Sequence, residues 1–210
     1  MTSNQKTFTI IPGLNMGLFS PQELEQIAAI INKHDVPMTK ITGAQRLALL
    51  GMDEEDQMKL KAELKPLTRP VAVNSFHYVQ ACPGSKWCKF GTSDAPALGA
   101  RIEQISFAEP LPGKVKVAIA GCRMCCTEPY VRDIGIFASK KGWTLVFGGN
   151  AGSNPRIGDI VAEGLTDDQV IDLLQKCLAV YQQNAKNKSR TARFMERFGI
   201  DALKQAVLSA

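Results

Sequence analysis

The segments "ACPGSKWC", residues 81–88, and "GCRMCC", residues 121–126, contain five of the six cysteines in this chain of 210 residues. Five residues separate Cys82 from Cys88, and three separate Cys122 from Cys126. Proline and glycine flank both segments, which predicts loops rather than regular elements. The remaining chain must bring these two loops together if their thiols are to share one site.

Clustered cysteines occur in disulfides, zinc sites, redox pairs and iron–sulfur sites. The N-terminal sequence "MTSNQKTFTI" lacks the charged start and apolar core of a secretion signal. This predicts a cytoplasmic location, where thiols stay reduced, and disfavours disulfides. The Cys82–Cys88 spacing is wider than the usual zinc pair. A C-x-x-C redox pair at Cys122 and Cys125 stays open, but it leaves the first pair without a role.

A [4Fe–4S] cubane needs four thiolates from converging loops, and this chemistry explains both segments. Four thiols in two loop clusters are also more than structural burial requires. Spacing alone does not decide whether Cys125 or Cys126 is the fourth ligand. Cys177 follows the apolar stripe of a helical pattern and is interpreted as a core residue.

The composition is that of a soluble globular protein, with 45% hydrophobic and 21% charged residues. No apolar run is long enough for a membrane span. The net charge of +5 is scattered, and its densest patch, "KNKSRTARFMER", is interpreted as a solvated helix face rather than a nucleic-acid surface. We therefore expect neither nucleic-acid nor membrane partners.

Strand and helix patterns alternate along the chain. This alternation predicts a two-layer fold of the α+β (or α/β) class. The first 65 or so residues are predicted to form a strand–helix–strand–helix unit. Its first helix has a capping box at Ser20 and Glu23. "KPLTRP", residues 65–70, is a plausible seam because its prolines resist helix. The strands predicted beyond it include "VAVNSFHYV", "KVKVAIAG", "DIGIFAS" and "WTLVFGG".

The cysteine pattern C-x5-C followed by C-x3-C resembles that of the siroheme-dependent sulfite and nitrite reductases. "ACPGSKWCKFG", "DIGIFASKKGWTLVFGGNAGSNPR" and "KITGAQRLALLG" are similar to segments of the bacterial NADH-dependent nitrite reductase large subunit. The resemblance implies a ferredoxin-like half-domain at residues 1–66 and a siroheme and [4Fe–4S] cluster-binding domain at 67–210. It also implies that Cys82, Cys88, Cys122 and Cys126 hold the cluster, with Cys126 bridging to the siroheme iron.

The resemblance further implies residues for the tetrapyrrole and the substrate. Siroheme carries many carboxylates, so its pocket must supply cations and N–H donors. The predicted siroheme-binding residues are Thr42, Gln45, Arg46, Arg123, Cys126, Asn150 and Arg156. Arg46, Lys89 and Arg123 are the predicted catalytic cations.

Two departures from the family pattern stand out. Met124 occupies a position where many members have asparagine, and the chain has one half-domain and one cluster domain where full-length enzymes are duplicated. A second chain could supply the missing cations, so a homodimer is a reasonable expectation.

The function implied is an assimilatory-type reductase that converts sulfite to sulfide, or nitrite to ammonia, in six electrons. The alternative is a non-catalytic [4Fe–4S]/siroheme electron-transfer module. No Rossmann-type glycine motif is present for NAD(P)H, so an external carrier such as a ferredoxin or flavodoxin is expected to supply the electrons.

Overall fold

The computed structural model describes residues 7–208. The chain divides into two compact units, of which the first ends at Val71 and the second begins at Ala72. The boundary predicted after residue 66 falls slightly earlier, inside the short helical turn Lys65–Leu67. The assignment of cofactors to the two residue ranges stays a prediction.

The first unit is a three-stranded antiparallel sheet with two helices. The strand order is β1–β3–β2. The elements are β1 (Phe8–Ile10), α1 (Pro21–Lys33), β2 (Met38–Ile41), β3 (Leu47–Leu50) and α2 (Glu54–Leu64). The sequence predicts an extended segment here that is broken at Gly43, and in the structure this segment is the hairpin β2–β3. The chain reverses there because Gln45 adopts a left-handed φ of 56° and the backbone N–H of Thr42 donates to the Arg46 carbonyl.

Local sequence signals in the first unit are confirmed. Ser20 accepts from the Glu23 backbone while the Glu23 carboxylate accepts from the Ser20 N–H, which completes the predicted capping box. The apolar sides of both helices and of β3 enclose one core, which includes Ile11, Leu49 and Leu60 at 1% exposure or less.

The second unit is a five-stranded mixed sheet with helices. Its strand order is β4–β5–β6–β7–β8, with β4, β5 and β6 parallel and the last two strands antiparallel. The strands are β4 (Tyr78–Ala81), β5 (Lys116–Ala120), β6 (Ile134–Ser139), β7 (Gly142–Phe147) and β8 (Asp159–Leu165). The helices are α3 (Ala95–Glu103), α4 (Asp167–Asn184), α5 (Thr191–Phe198) and α6 (Ile200–Leu208). This mixture confirms the α+β class.

Two strand predictions in this unit need correction. The segment 71–79 was expected to be one strand, but only its last two residues belong to β4, because Asn74 turns the chain with a φ of 49°. Strand β8 was not predicted, because charged and glycine residues interrupt its alternating pattern.

The core of the second unit is built on α4. Phe147 from β7, Tyr181 from α4 and Phe194 from α5 form an edge-to-face series of buried rings. Cys177 is fully buried in the same helix, so its interpretation as a core residue is confirmed. Burial raises the pKa of its thiol to about 12, which keeps it protonated and unreactive.

A buried carboxylate ties α5 to the sheet. Asp133 is completely buried just before β6 and accepts hydrogen bonds from the Arg190 guanidinium, the Thr191 hydroxyl and the Lys116 backbone N–H. The Tyr181 hydroxyl donates to the Ser189 carbonyl beside it. These contacts join the starts of β5, β6 and α5. They lie at the end of the sheet opposite the cysteine loops.

Among the helices of residues 7–208, none has the length and apolar content that crossing a lipid bilayer requires.

Candidate functional site

The two cysteine loops begin at the same end of the sheet, where the parallel strands β4 and β5 finish. β4 and β5 are parallel neighbours with Ala81 paired to Ile119, so their carboxyl ends lie side by side. Cys82 directly follows β4, and Cys122 follows β5 after one glycine. Loops that leave the carboxyl ends of adjacent parallel strands commonly form ligand sites, because the strands aim them into one region.

Backbone contacts hold the two loops against each other. The Gly121 N–H donates to the Cys82 Sγ atom at 3.0 Å. The Gly121 carbonyl accepts from the backbone N–H groups of Thr92 and Ser93 at 2.7 and 3.1 Å. In the first loop the Cys88 N–H donates to the Gly84 carbonyl at 2.9 Å. Cys88 is thus one tight turn away from the point where the loops meet.

Gly121 is required at this point by close approach of the two loops. A Cβ atom there would lie 2.6 Å from the Ser93 carbonyl oxygen, 3.0 Å from the Gly84 Cα atom and 3.6 Å from the Cys82 Sγ atom. The first separation is shorter than real Cβ contacts, and the obstructing atom is backbone. A side chain at residue 121 would therefore push the loops apart.

We expect Gly121→Ala to lower the free energy of unfolding by about 1–3 kcal/mol, because the added methyl overpacks the junction of the loops. Iron and acid-labile sulfide in the purified protein should fall with it. Gly43→Ala is the matched control, since a Cβ atom at residue 43 meets no atom within 4 Å. Equal cluster content in the two variants would contradict a positioning role for the junction.

The cysteines differ in their surroundings. Cys82 and Cys122 are buried, with 9% of each residue exposed, Cys88 is half-buried, and Cys126 is exposed. All are free thiols. Cys125 instead packs against the apolar cluster of Ala120, Phe137 and Val146 on the sheet.

Electrostatics also set Cys125 apart. Burial raises the pKa of the Cys125 thiol, and the nearby sulfurs of Cys122 and Cys126 raise it further, while Arg123 opposes them. Its backbone φ of 52° turns the chain between Cys122 and Cys126. The sequence left Cys125 and Cys126 equivalent, and the packing of Cys125 on the sheet favours Cys126 as the ligand.

We expect Cys126→Ser to lose most of its iron and sulfide, because Cys126 is the exposed thiol of the pair. Cys125→Ser should keep the cluster and lose only about 1–2 kcal/mol of stability, since a hydroxyl replaces a thiol that packs on apolar groups. Iron and sulfide analysis with EPR of the reduced protein measures both. The reverse pattern would make Cys125 the ligand.

The donor atoms of the two loops are those that iron–sulfur clusters use. Within residues 7–208 no three His, Cys, Asp or Glu side chains are arranged to hold one metal ion. Thiolates are the ligands that iron–sulfur clusters use, and N–H donation such as that from Gly121 to Cys82 tunes them. The loops therefore offer the donor chemistry that a cubane requires, and the four-cysteine ligand set stays a prediction.

Three of the predicted siroheme-binding residues lie in the first unit. Thr42, Gln45 and Arg46 form the turn between β2 and β3, where the Thr42 hydroxyl accepts from the Arg46 N–H at 3.2 Å. The Gln45 N–H donates to the Thr42 carbonyl at 3.0 Å. This hydrogen-bonded turn places the three residues together at one end of the small sheet. Their siroheme-binding role stays a prediction.

Asn150 and Arg156 stabilise their own loop. They form an isolated β-bridge, and the Asn150 side chain bonds the Asn154 carbonyl and the Gly152 N–H. The Arg156 guanidinium donates to the Gly148 carbonyl and pairs with Asp159 at 2.6 Å. Their predicted contact with siroheme would require them to exchange or extend these bonds, and it also stays a prediction.

The predicted catalytic cations Lys89 and Arg123 lie on the cysteine loops of the second unit. Both are exposed, and the Lys89 Nζ atom lies 5.0 Å from the centre of the Phe90 ring. Arg46 belongs to the first unit. The structure thus brings Lys89 and Arg123 to the edge of the sheet that carries the cysteines.

A cavity of about 730 Å³ adjoins the second cysteine loop. Its wall includes Cys122 and Arg123, and its floor is the sheet face with Phe137, Thr144 and Ile160. The other lining residues that bear on the site are Phe90, Met124, Tyr130, Lys140, Lys141 and Glu163. The sequence did not predict this cavity, because its lining residues come from separate segments of the chain.

Comparisons with known proteins bear on both units. The family model described as nitrite and sulphite reductase 4Fe-4S domain matches residues 73–210. The model described as nitrite/sulfite reductase ferredoxin-like half domain matches residues 1–67. Together they confirm the predicted ferredoxin-like half-domain and reductase domain in that order.

Two curated relatives match over almost the whole chain. The chain is 42% identical over 202 residues to an assimilatory-type sulfite reductase of Nitratidesulfovibrio vulgaris, covering 96% of the chain and 93% of that protein. It is 32% identical to a nitrite reductase [NAD(P)H] of Bacillus subtilis, covering 97% of the chain and 25% of that enzyme. The chain therefore spans nearly all of the first relative and a quarter of the second.

A solved structure shows the same fold. Dissimilatory sulfite reductase I superposes with a TM-score of 0.80 at 12% identity, covering 95% of the chain and 68% of the solved chain. At this identity the likeness concerns the fold alone.

Proposed function

The chain belongs to the nitrite and sulphite reductase family, and on that basis we propose that it is a cytoplasmic, assimilatory-type sulfite reductase that forms sulfide in six electrons. The cofactors of this family are a [4Fe–4S] cluster and siroheme. Nitrite is proposed as a second substrate, because it is also a small oxygen-rich anion that cations can bind. Electrons are proposed to come from a separate carrier protein.

The meeting of the two cysteine loops is the observation that carries the proposal. Cys82 and Cys122 emerge from neighbouring strands, and the hydrogen bond from Gly121 to the Cys82 sulfur joins the loops. Similarity to the relative from Nitratidesulfovibrio vulgaris over 93% of its length supports sulfite over nitrite. The nitrite reductase matched from Bacillus subtilis is about four times longer, so its activity applies less directly to this chain.

When bound, siroheme and the cluster together supply the electron storage and transfer that no amino-acid side chain provides. The chain's own residues hold and orient the reacting groups. Cys82, Cys88, Cys122 and Cys126 are proposed to ligate the cluster, and Cys126, as the exposed thiol, to reach the siroheme iron.

The proposed cations act on the substrate and on the tetrapyrrole carboxylates. Lys89 and Arg123 lie on the cysteine loops and are exposed. Their positive charge would favour binding of an oxyanion and would offset the negative charge on that anion during reduction. Arg46, Thr42 and Gln45 are proposed to hold siroheme carboxylates, with Asn150 and Arg156 bordering the pocket. A second copy of the chain could add further cations in a homodimer.

The test is steady-state turnover of the holo-protein with each anion, using a reduced dye as electron source. We expect tetrapyrrole absorption, iron above the amount that the cluster alone requires, and sulfite-dependent oxidation of the dye. Both cofactors without turnover would favour the electron-transfer module instead. Zinc without acid-labile sulfide would overturn the assignment altogether.

A further inference from the structure

We propose that Gln80, in strand β4, is a positioning residue that holds Cys126 in place for its contact with the siroheme iron. It acts through a hydrogen bond to the residue that follows Cys126 and is not itself a ligand. The proposal rests on the proposed function, since it explains how the exposed thiol of that site keeps a fixed position.

A buried hydrogen bond joins β4 to the end of the second cysteine loop. The Gln80 Nε2 atom donates to the Thr127 carbonyl at 2.7 Å, across 47 positions of the chain. Gln80 is 4% exposed and Thr127 is 5% exposed. Cys126 immediately precedes Thr127, and Gln80 lies shortly before Cys82. One side chain therefore links the two segments that carry the proposed ligands.

The face of the sheet beside Gln80 is shaped to receive this segment. Gln80 pairs with Ala118, and Ala118 pairs with Gly135, so the three lie in one row on a single face. The two neighbours of Gln80 in this row are small, which leaves room for the chain above them. A Cβ atom at Gly135 would overlap the Pro129 carbonyl oxygen. The segment 127–131 thus lies directly against this face, and Gln80 bonds the residue with which it begins.

The chain turns sharply on both sides of Cys126. Cys125 and Glu128 have left-handed backbone conformations, with φ of 52° and 55°. Such conformations are uncommon for residues other than glycine and persist where surrounding contacts hold them. The bond from Gln80 reaches Thr127, between the two turns, and is one of these contacts. Its loss would let the turns relax and the Cys126 thiol move.

Core packing alone does not explain the Gln80 amide. Within residues 7–208 the Gln80 Oε1 atom is buried without a hydrogen-bond partner. A buried amide oxygen without a partner costs desolvation free energy that an apolar side chain of similar size would not. The favourable part of the amide is therefore its N–H group, which satisfies the Thr127 carbonyl. Mutation of groups that orient a metal ligand in this way commonly costs about 10- to 100-fold in metal affinity or activity.

The test is Gln80→Met in the holo-protein, because methionine fills a similar volume and cannot donate to the carbonyl. We expect kcat for sulfite-dependent dye oxidation to fall about 10-fold, with KM for sulfite within about twofold, since the proposed substrate-binding cations are unchanged. The tetrapyrrole absorption and the EPR signal of the reduced cluster should shift, while iron and sulfide stay near wild-type amounts. Hydrogen exchange of the Glu128 and Val131 backbone N–H groups should become several-fold faster.

Three further variants make the test specific. Gln182→Met removes an amide that donates to the Glu109 carbonyl at 3.2 Å, which is a bond of the same kind between distant segments. Thr127→Val removes a hydroxyl that is buried and has no partner in the described part of the chain, and it leaves the backbone carbonyl in place. Both variants should keep the wild-type kcat and spectra. Gln80→Asn keeps the amide on a shorter side chain and should fall between the wild type and Gln80→Met.

Three results would overturn the role of Gln80. Gln80→Met could match the wild type in spectra and kcat. Gln182→Met could reproduce the changes of Gln80→Met, which would show that any lost amide bond has this effect. Gln80→Met and Gln80→Asn could both lose iron and sulfide, which would show that the amide is needed for cluster assembly rather than for the position of one thiol.

A wild-type protein without tetrapyrrole absorption or sulfite-dependent turnover would instead contradict the proposed function. The exchange rates of the Glu128 and Val131 N–H groups would still show in that case whether Gln80 holds the loop.

Discussion

Cys122→Ser is expected to abolish the cluster and to reduce sulfite-dependent dye oxidation more than about 100-fold. Changes in groups that merely support a metal ligand already cost 10- to 100-fold, so loss of a ligand thiolate should exceed that range. Cys122 is also only 9% exposed and lies where the two loops meet. Little room remains there for another ligand to take the place of the lost thiolate. Iron and sulfide analysis, the EPR signal of the reduced cluster and turnover measure the effect.

Cys177→Ala is the matched control, because it removes a thiol that is buried in α4 away from the loops. We expect it to keep the cluster and the activity and to lower the free energy of unfolding by about 1 kcal/mol. A Cys122→Ser protein with normal iron and sulfide content would show that the cluster does not use this loop.

Asp133→Asn is expected to destabilise the second unit by about 3 kcal/mol. The substitution removes the charge that Arg190 pairs with and weakens the hydrogen bonds from Thr191 and the Lys116 backbone. Breaking a buried ion pair costs about 3–5 kcal/mol, and the lower end applies because the Arg190 side chain is 32% exposed and water can reach it. Urea unfolding followed by tryptophan fluorescence measures the change, since both tryptophans lie in this unit.

Asp172→Asn is the control for the buried pair. Asp172 pairs with Lys176 one turn along α4, but the two side chains are 64% and 45% exposed. Exposed pairs of this kind contribute about 0.5 kcal/mol or less. Equal losses of stability in the two variants would show that Asp133 acts as an ordinary surface charge.

Local patterns were readable in the sequence because their causes lie within a few residues. Ser20 caps its helix through a bond to the residue three positions along, and the predicted capping box is present. The apolar periodicity around Cys177 correctly placed it in a core. The fold class followed from alternating strand and helix patterns, and the family followed from the cysteine spacing together with its flanking segments.

The tertiary structure decided which side chains have distant partners. Cys125 and Cys126 are neighbours in the chain, yet one packs on Phe137 and Val146 while the other faces solvent. The Asp133 carboxylate accepts a hydrogen bond from Arg190, 57 positions away in the chain. The Arg156 guanidinium donates to the Gly148 carbonyl of its own loop. The cavity exists because a turn after β6 reaches the edge where β5 ends. Such outcomes depend on strand order and the direction in which each loop leaves the sheet, and short-range patterns in a single sequence do not encode either.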